Sequence, residues 1–153
     1  MTQVRQFCTF FLDRLYFGLE VLQVQEVLRH QEMTRVPLAP AAVSGLINLR
    51  GQIVTAIDLR RRLGLGERPA DQLPMNLVVR SLDGAMSLLV DDIGDVLEVE
   101  EAAFESPPET LQGTARELIL GACKLRDRLL LILDVERALQ VGPAKNSLGT
   151  VNA

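Results

Sequence analysis

Two stretches of this chain carry one pattern in the same order. Gly45–Leu63 reads GLINLRGQIVTAIDLRRRL and Gly121–Leu139 reads GACKLRDRLLLILDVERAL. The offset is 76 positions throughout, without a gap. Six of the nineteen positions are identical: Gly45/Gly121, Leu49/Leu125, Arg50/Arg126, Asp58/Asp134, Arg61/Arg137 and Leu63/Leu139. A leucine-rich chain gives roughly one or two such identities by chance. The shared unit reads strand, Leu-Arg turn, apolar strand, Asp, short helix. Two copies in 153 residues predict two similar half-domains and a pseudo-symmetric protein.

The segments around the repeat read as short strands. Phe7–Leu12 and Tyr16–Val21 form a hairpin about Asp13-Arg14. In Leu22–Arg29, Val24, Val27 and Leu28 fall at helical spacing and predict a short helical turn. Pro37 and Pro40 then enforce extended chain, and Ala41–Leu46 reads as one helical turn before strand Ile47–Arg50. Gly51 turns the chain into strand Gln52–Ile57. Asp58 caps the short helix Leu59–Leu63, which Gly64 and Gly66 end. Glu67–Pro74 is polar, holds two prolines and reads as the internal linker. The plan then recurs. Asn76–Leu82 and Ala85–Asp91 flank an Asp83-Gly84 turn, and Asp92–Val99 echoes Leu22–Leu28. Ser106–Gly113 is a loop, Glu117–Lys124 and Arg128–Leu133 form the second repeated hairpin, and Asp134 caps a last helix. Leu129–Leu133 is apolar without alternation and predicts a strand buried on both faces.

These signals predict an all-β fold. Halves of about 70 residues are near the lower limit for an independent core. The expectation is therefore two small five-stranded β-barrels packed around a shared hydrophobic core, with short helices at strand ends. The barrels are expected at about 6–68 and 74–141 of a single domain spanning 1–141, with 142–153 as a flexible tail.

No constellation for catalysis stands out. The one histidine, His30, has no second His or Cys at ligand spacing and reads as a solvated side chain. The GLGERP stretch lacks phosphate-loop spacing, and Ser44 lacks a GxSxG setting. Asp91-Asp92 reads as a strand end and turn cap rather than an acid site. Arg60-Arg61-Arg62 reads as a solvated helix face, and Glu98, Glu100, Glu101 and Glu105 as a guarded sheet edge. Cys8 and Cys123 read as buried reduced thiols. A net charge of −4 and few strand aromatics disfavour nucleic acid. No apolar run approaches the roughly 18 residues that span a bilayer, and no signal-peptide layout opens the chain. The reading is a binding module, with no metal and no cofactor.

The run Arg35–Leu59, RVPLAPAAVSGLINLRGQIVTAIDL, resembles the core signature of the bacterial chemotaxis coupling proteins, the CheW-like domain family. The matching positions are Val36, Pro37, Pro40, Val43, Gly45, Asn48, Arg50, Gly51, Asp58 and Leu59. FFLDRLYFGLEVLQVQEVL, LLVDDIGDVLEV and LGACKLRDRLLLILDVERAL are similar to further parts of the family pattern, so the resemblance spans about residues 6–140. Thr55 stands where the family usually has Pro, and Ser87 where Gly is frequent. The resemblance implies two five-stranded barrels around a shared core. It implies a non-enzymatic adaptor that links methyl-accepting chemoreceptor tips to the regulatory domain of a CheA-type histidine kinase. Other CheW-like domains in rings are further implied partners, and the implied place is cytoplasmic, at membrane-associated receptor arrays without membrane insertion. By the same resemblance Val24, Glu26, Gly45, Arg50 and Leu77 line the receptor groove. The start at Met1 and the short polar tail favour a stand-alone coupling protein. The alternatives are a regulatory module of a non-flagellar pathway such as twitching motility, or a fragment of a larger kinase.

Overall fold

The computed structural model describes residues 3–141. Among them the chain runs β1 (Val4–Leu12), β2 (Leu15–Glu20), a 3-10 turn (Val21–Gln23), β3 (Val24–Leu28), β4 (Val43–Leu49), β5 (Gln52–Asp58) and α1 (Leu59–Arg62). It continues with β6 (Met75–Ser81), β7 (Gly84–Val90), β8 (Asp92–Glu100), a second 3-10 turn (Glu101–Ala103) and β9 (Phe104–Glu105). The last elements are α2 (Gly113–Glu117), β10 (Ile119–Lys124), β11 (Leu129–Leu133) and α3 (Val135–Leu139). The all-β class holds. The expected tail 142–153 lies outside the described residues.

The strands form two sheets, ordered β8-β1-β2-β11-β10-β9 and β3-β6-β7-β5-β4. Neither closes into a barrel by hydrogen bonding, which corrects the expected closed barrels. The repeat is real in three dimensions. β5 lies antiparallel to β4 and parallel to β7, and β11 lies antiparallel to β10 and parallel to β2. Asp58 and Asp134 each cap the helix that follows, accepting from the backbone N–H of Arg60 and Arg137.

The sheets do not divide at the linker, so 6–68 and 74–141 do not each own a sheet. β3 leaves the β1–β2 hairpin and pairs with β6, while β8 leaves the β6–β7 hairpin and pairs with β1. The reason is connection length. Three residues separate β2 from β3, and only Asp91 separates β7 from β8. So short a connection cannot carry the chain back over its own hairpin to the free edge of β1 or β6. The strand continues into the facing sheet instead.

Alternation along the strands then builds three apolar clusters. On β11, Leu131 and Leu133 enter the layer between the sheets, while Leu130 and Ile132 enter the six-stranded sheet's own cluster with Phe7, Tyr16, Val99 and Cys123. β6 and β7 behave alike: Leu77, Val79, Leu88 and Val90 face the shared layer, and Val78 and Leu89 face Ile47, Leu49, Val54 and Ala56. Leu129–Leu133 is apolar without alternation because both faces are inside. The register pair Phe10 and Phe17 stacks within the shared layer, with ring centroids 5.3 Å apart.

Other local readings are corrected. The helical turn expected within Leu22–Arg29 is 3-10 and confined to Val21–Gln23, while Val24–Leu28, whose spacing suggested it, are strand. A bulge between Val24 and Glu26 re-phases β3, so its apolar spacing mimics a helix. Ala41–Leu46 is not helical either, because β4 begins at Val43. Cys123 is buried and its thiol is pushed up to about 11 by burial, whereas Cys8 is only partly buried, with a thiol also raised by burial.

The arginine run is not a solvated face. Arg60 is buried and donates through Nε to both oxygens of Asp91, at 2.9 and 3.1 Å, and pairs with it through Nη2. Arg68 Nε donates to Asp91 at 2.8 Å, and the backbone N–H of Asp13 does so at 2.7 Å. Arg62 donates to the carbonyls of Ala138, Arg137 and Gln140 and so caps the C-terminus of α3. Asp91 is thus the anchor of a buried network at the β7–β8 crossover, and the linker is pinned to it.

Glycine at the two matched repeat positions has one cause. A carbon added at Gly45 would lie 2.6 Å from the Thr34 carbonyl oxygen, and one added at Gly121 would lie 2.7 Å from that of Glu105. In each half a neighbouring strand residue passes directly over the glycine.

Gly45→Ala is expected to lower stability by about 1–3 kcal/mol, the usual cost of overpacking, in a denaturant titration. An unchanged midpoint would contradict the packing. A second expectation concerns pH. Burial works to raise the Asp91 pKa, but the donors from Arg60, Asp13 and Arg68 outweigh it and hold it below the ordinary 3.8. The folded-state pKa lies below the unfolded one. Its stabilisation is therefore complete above that ordinary value and disappears as pH falls through the folded pKa. Asp91→Asn should cost about 3–5 kcal/mol at neutral pH, with the deficit shrinking in acid. Parallel stability curves for the two proteins would rule this out.

Candidate partner-binding surface

The β4–β5 turn is built from two residues in the left-handed region, Arg50 (φ 52°) and Gly51 (φ 88°). This is the type I′ geometry that matches the twist of a hairpin. Asn48 Oδ1 accepts from the Gly51 N–H at 2.8 Å and fixes the turn. Glycine takes that region freely, whereas arginine does so at a cost of about 1–2 kcal/mol. The return is position: the Arg50 side chain stands out of the sheet, 69 % exposed.

Arg50 Nη2 pairs with Glu26 Oε2. These residues belong to β4's end and to β3, the two outer strands of the five-stranded sheet. The sheet has therefore curled until its free edges meet, and one ion pair joins them. Leu28 on β3 packs against the same interior cluster as Ile47 and Leu49 on β4, which gives the curl its apolar reason.

The five groove positions do not form one surface. Glu26 and Arg50 meet. Val24 is half-buried beside them on β3, packed against the shared core. Leu77 is 1 % exposed within that core, and Gly45 is buried beneath Thr34. Leu77 therefore offers a partner no apolar contact, because alternation on β6 turns it inward. At Gly45 the chain's own packing already demands that a side chain be missing. The sequence reading also missed Ile53, which is 61 % exposed beside the turn, across the ladder from exposed Asn48. Its signal was available: with Val54 and Ala56 inward, period two puts Ile53 outside. Val27, 41 % exposed on edge strand β3, adds further apolar surface.

Elsewhere, among the described residues, Arg68 Nη2 is the one buried side-chain polar atom without a hydrogen-bond partner. A cleft of about 680 Å³ opens beside the linker, lined by Asp13, Arg60, Glu67, Asp91 and Asp92 among others. Its arginine and Asp91 are committed to each other. Asp91 is thus a network centre rather than a turn cap, while Asp92 Oδ1 accepts from the Ile93 N–H. His30 is exposed. Among the described residues no three His, Cys, Asp or Glu side chains gather to hold a metal.

Comparison with known proteins places the chain in a family. The CheW-like domain model matches residues 6–142. The chain is 33 % identical to the chemotaxis protein CheW of Bacillus subtilis over 85 % of this chain and 83 % of that one. It is 31 % identical to that of Helicobacter pylori over 90 % and 83 %. The crystal structure of the scaffolding protein TtCheW from Thermoanaerobacter tengcongensis superposes with a TM-score of 0.80 at 28 % identity, covering 89 % of this chain and 92 % of that one. With nearly the whole chain matched in sequence and in fold, this protein belongs to the CheW-like domain family.

Proposed function

We propose that this chain is a non-enzymatic chemotaxis coupling adaptor that links methyl-accepting chemoreceptor tips to a CheA-type histidine kinase. The observation that carries the reading is Arg50: an exposed cation held in a left-handed turn and oriented by Glu26. Backbone in such a sparsely populated region marks a place where position matters more than local ease. Receptor tips are helical hairpins, and an apolar helix face with a carboxylate fits a surface of Arg50, Ile53, Val27 and half-buried Val24. The fork of Arg50 supplies the directional contact.

The kinase's regulatory domain, which the family resemblance gives the same fold, docks on the six-stranded sheet. Separate sheets for separate partners let both bind at once, and effective concentration in an array then permits each contact to be weak. The working place is the cytoplasmic face of receptor arrays. No helix among the described residues is long and apolar enough to cross a membrane, so receptors supply the attachment.

The test is Arg50→Ala. The Arg50 end of its pair with Glu26 is exposed, so folding stability should stay within about 1 kcal/mol. Retention on a receptor cytoplasmic fragment should fall at least about tenfold, while retention on the kinase regulatory domain persists. Equal retention of receptor by the folded variant would remove Arg50 from the interface.

A further inference from the structure

The two halves on either side of segment 64–74 meet through four strand ladders: β1 with β8, β2 with β11, β3 with β6, and β5 with β7. Nothing in those ladders requires both halves to come from one chain. A second copy offers the same edges and the same core faces. The exchange between halves can equally run between two molecules, with only the path of 64–74 altered.

That path is held by specific bonds. Arg60 Nη1 donates to the carbonyls of Gly66 and Glu67 at 3.2 and 3.1 Å. Arg61 pairs with Glu67 at 3.2 Å. Arg68 is the deepest tie: its side chain is 9 % exposed, Nε meets Asp91 at 2.8 Å, and Nη2 lies 3.6 Å from Asp58. Beyond Arg68, residues 69–74 reach about 20 Å when fully extended, whereas 64–74 together reach nearly 40 Å. A chain sending its second half to another molecule gains that reach only by releasing Arg68.

We propose that Arg68 is a clasp that folds this segment back and keeps strand exchange within one chain. The clasp is not optimal for stability, since Arg68 Nη2 is buried without a hydrogen-bond partner. Fixing one path among two with the same ladders explains why a charge is buried here; buried ionic groups serve specificity in this way in other folds.

The test uses the register partners Gln6 on β1 and Glu98 on β8. Gln6→Cys with Glu98→Cys, in a background of Cys8→Ala and Cys123→Ala, reports which molecule supplies β8. The full chain is refolded from denaturant at high concentration, oxidised and run on a non-reducing gel. With Arg68 present the link should close within one chain and give a monomer band. Arg68→Met removes the clasp together with its unpaired donor. It should fold, with a thermal midpoint lowered by the lost bond to Asp91, and raise the interchain-linked dimer at least about tenfold, equivalent to about 1.4 kcal/mol of preference. If Arg68→Met does not fold, Arg68→Gln takes its place with the same expectation. Dimer at the parent level in the folded variant overturns the proposal, as does an interchain link already dominant with Arg68 in place.

Discussion

The apolar layer between the two sheets is the constraint on which the rest depends. It is assembled from one face of each hairpin, β1–β2 and β6–β7, with Leu131, Leu133, the helix residues Leu59, Val135 and Ala138, and Leu63 at the end of α1. Halves of this length are near the lower limit for an independent core. The short crossovers after β2 and β7 turn that weakness into a fold, because each hairpin is completed by strands from the other half. Central strands thereby acquire two inner faces, which is why Leu129–Leu133 is apolar throughout.

The two halves share a backbone plan but differ in how they are pinned. At the β7–β8 crossover, buried Asp91 gathers Arg60, Arg68 and the Asp13 N–H. At the β2–β3 crossover the chain is held near the surface, by Arg80 donating to the carbonyls of Leu22 and Val24. The rigid crossover lies on the side of the linker. The lighter one leads directly into β3, the edge that bears Glu26. The candidate partner surface is thus built on the less anchored edge of the five-stranded sheet and is closed there by a single pair with Arg50.

Much of the fold was legible in the sequence, and the reasons are local. The 76-position repeat located both β-β-α units, and Asp58 and Asp134 cap their helices as the pattern implied. The turn at Gly51 was readable because glycine takes positive φ freely, whereas the positive φ of Arg50 was not. Pairing partners were not readable, since which edge a strand joins depends on what the other half leaves free. Arg60 looked solvated because its counter-charge, Asp91, lies 31 positions away. Leu77 and Gly45 were placed on the groove by motif position alone. Alternation on β6 buries Leu77 and the carbonyl of Thr34 covers Gly45, and neither leaves a mark within the motif itself.

The central claim is that the two halves form one cooperative unit through the shared layer. Native-state hydrogen exchange tests it most directly, following amides of β2 and β7 at rising denaturant. Phe17 and Leu88 lie on opposite sheets but in one core. Their opening free energies should converge on a single global value with one denaturant slope. Two separate isotherms, one for each half or one for each sheet, would contradict the account.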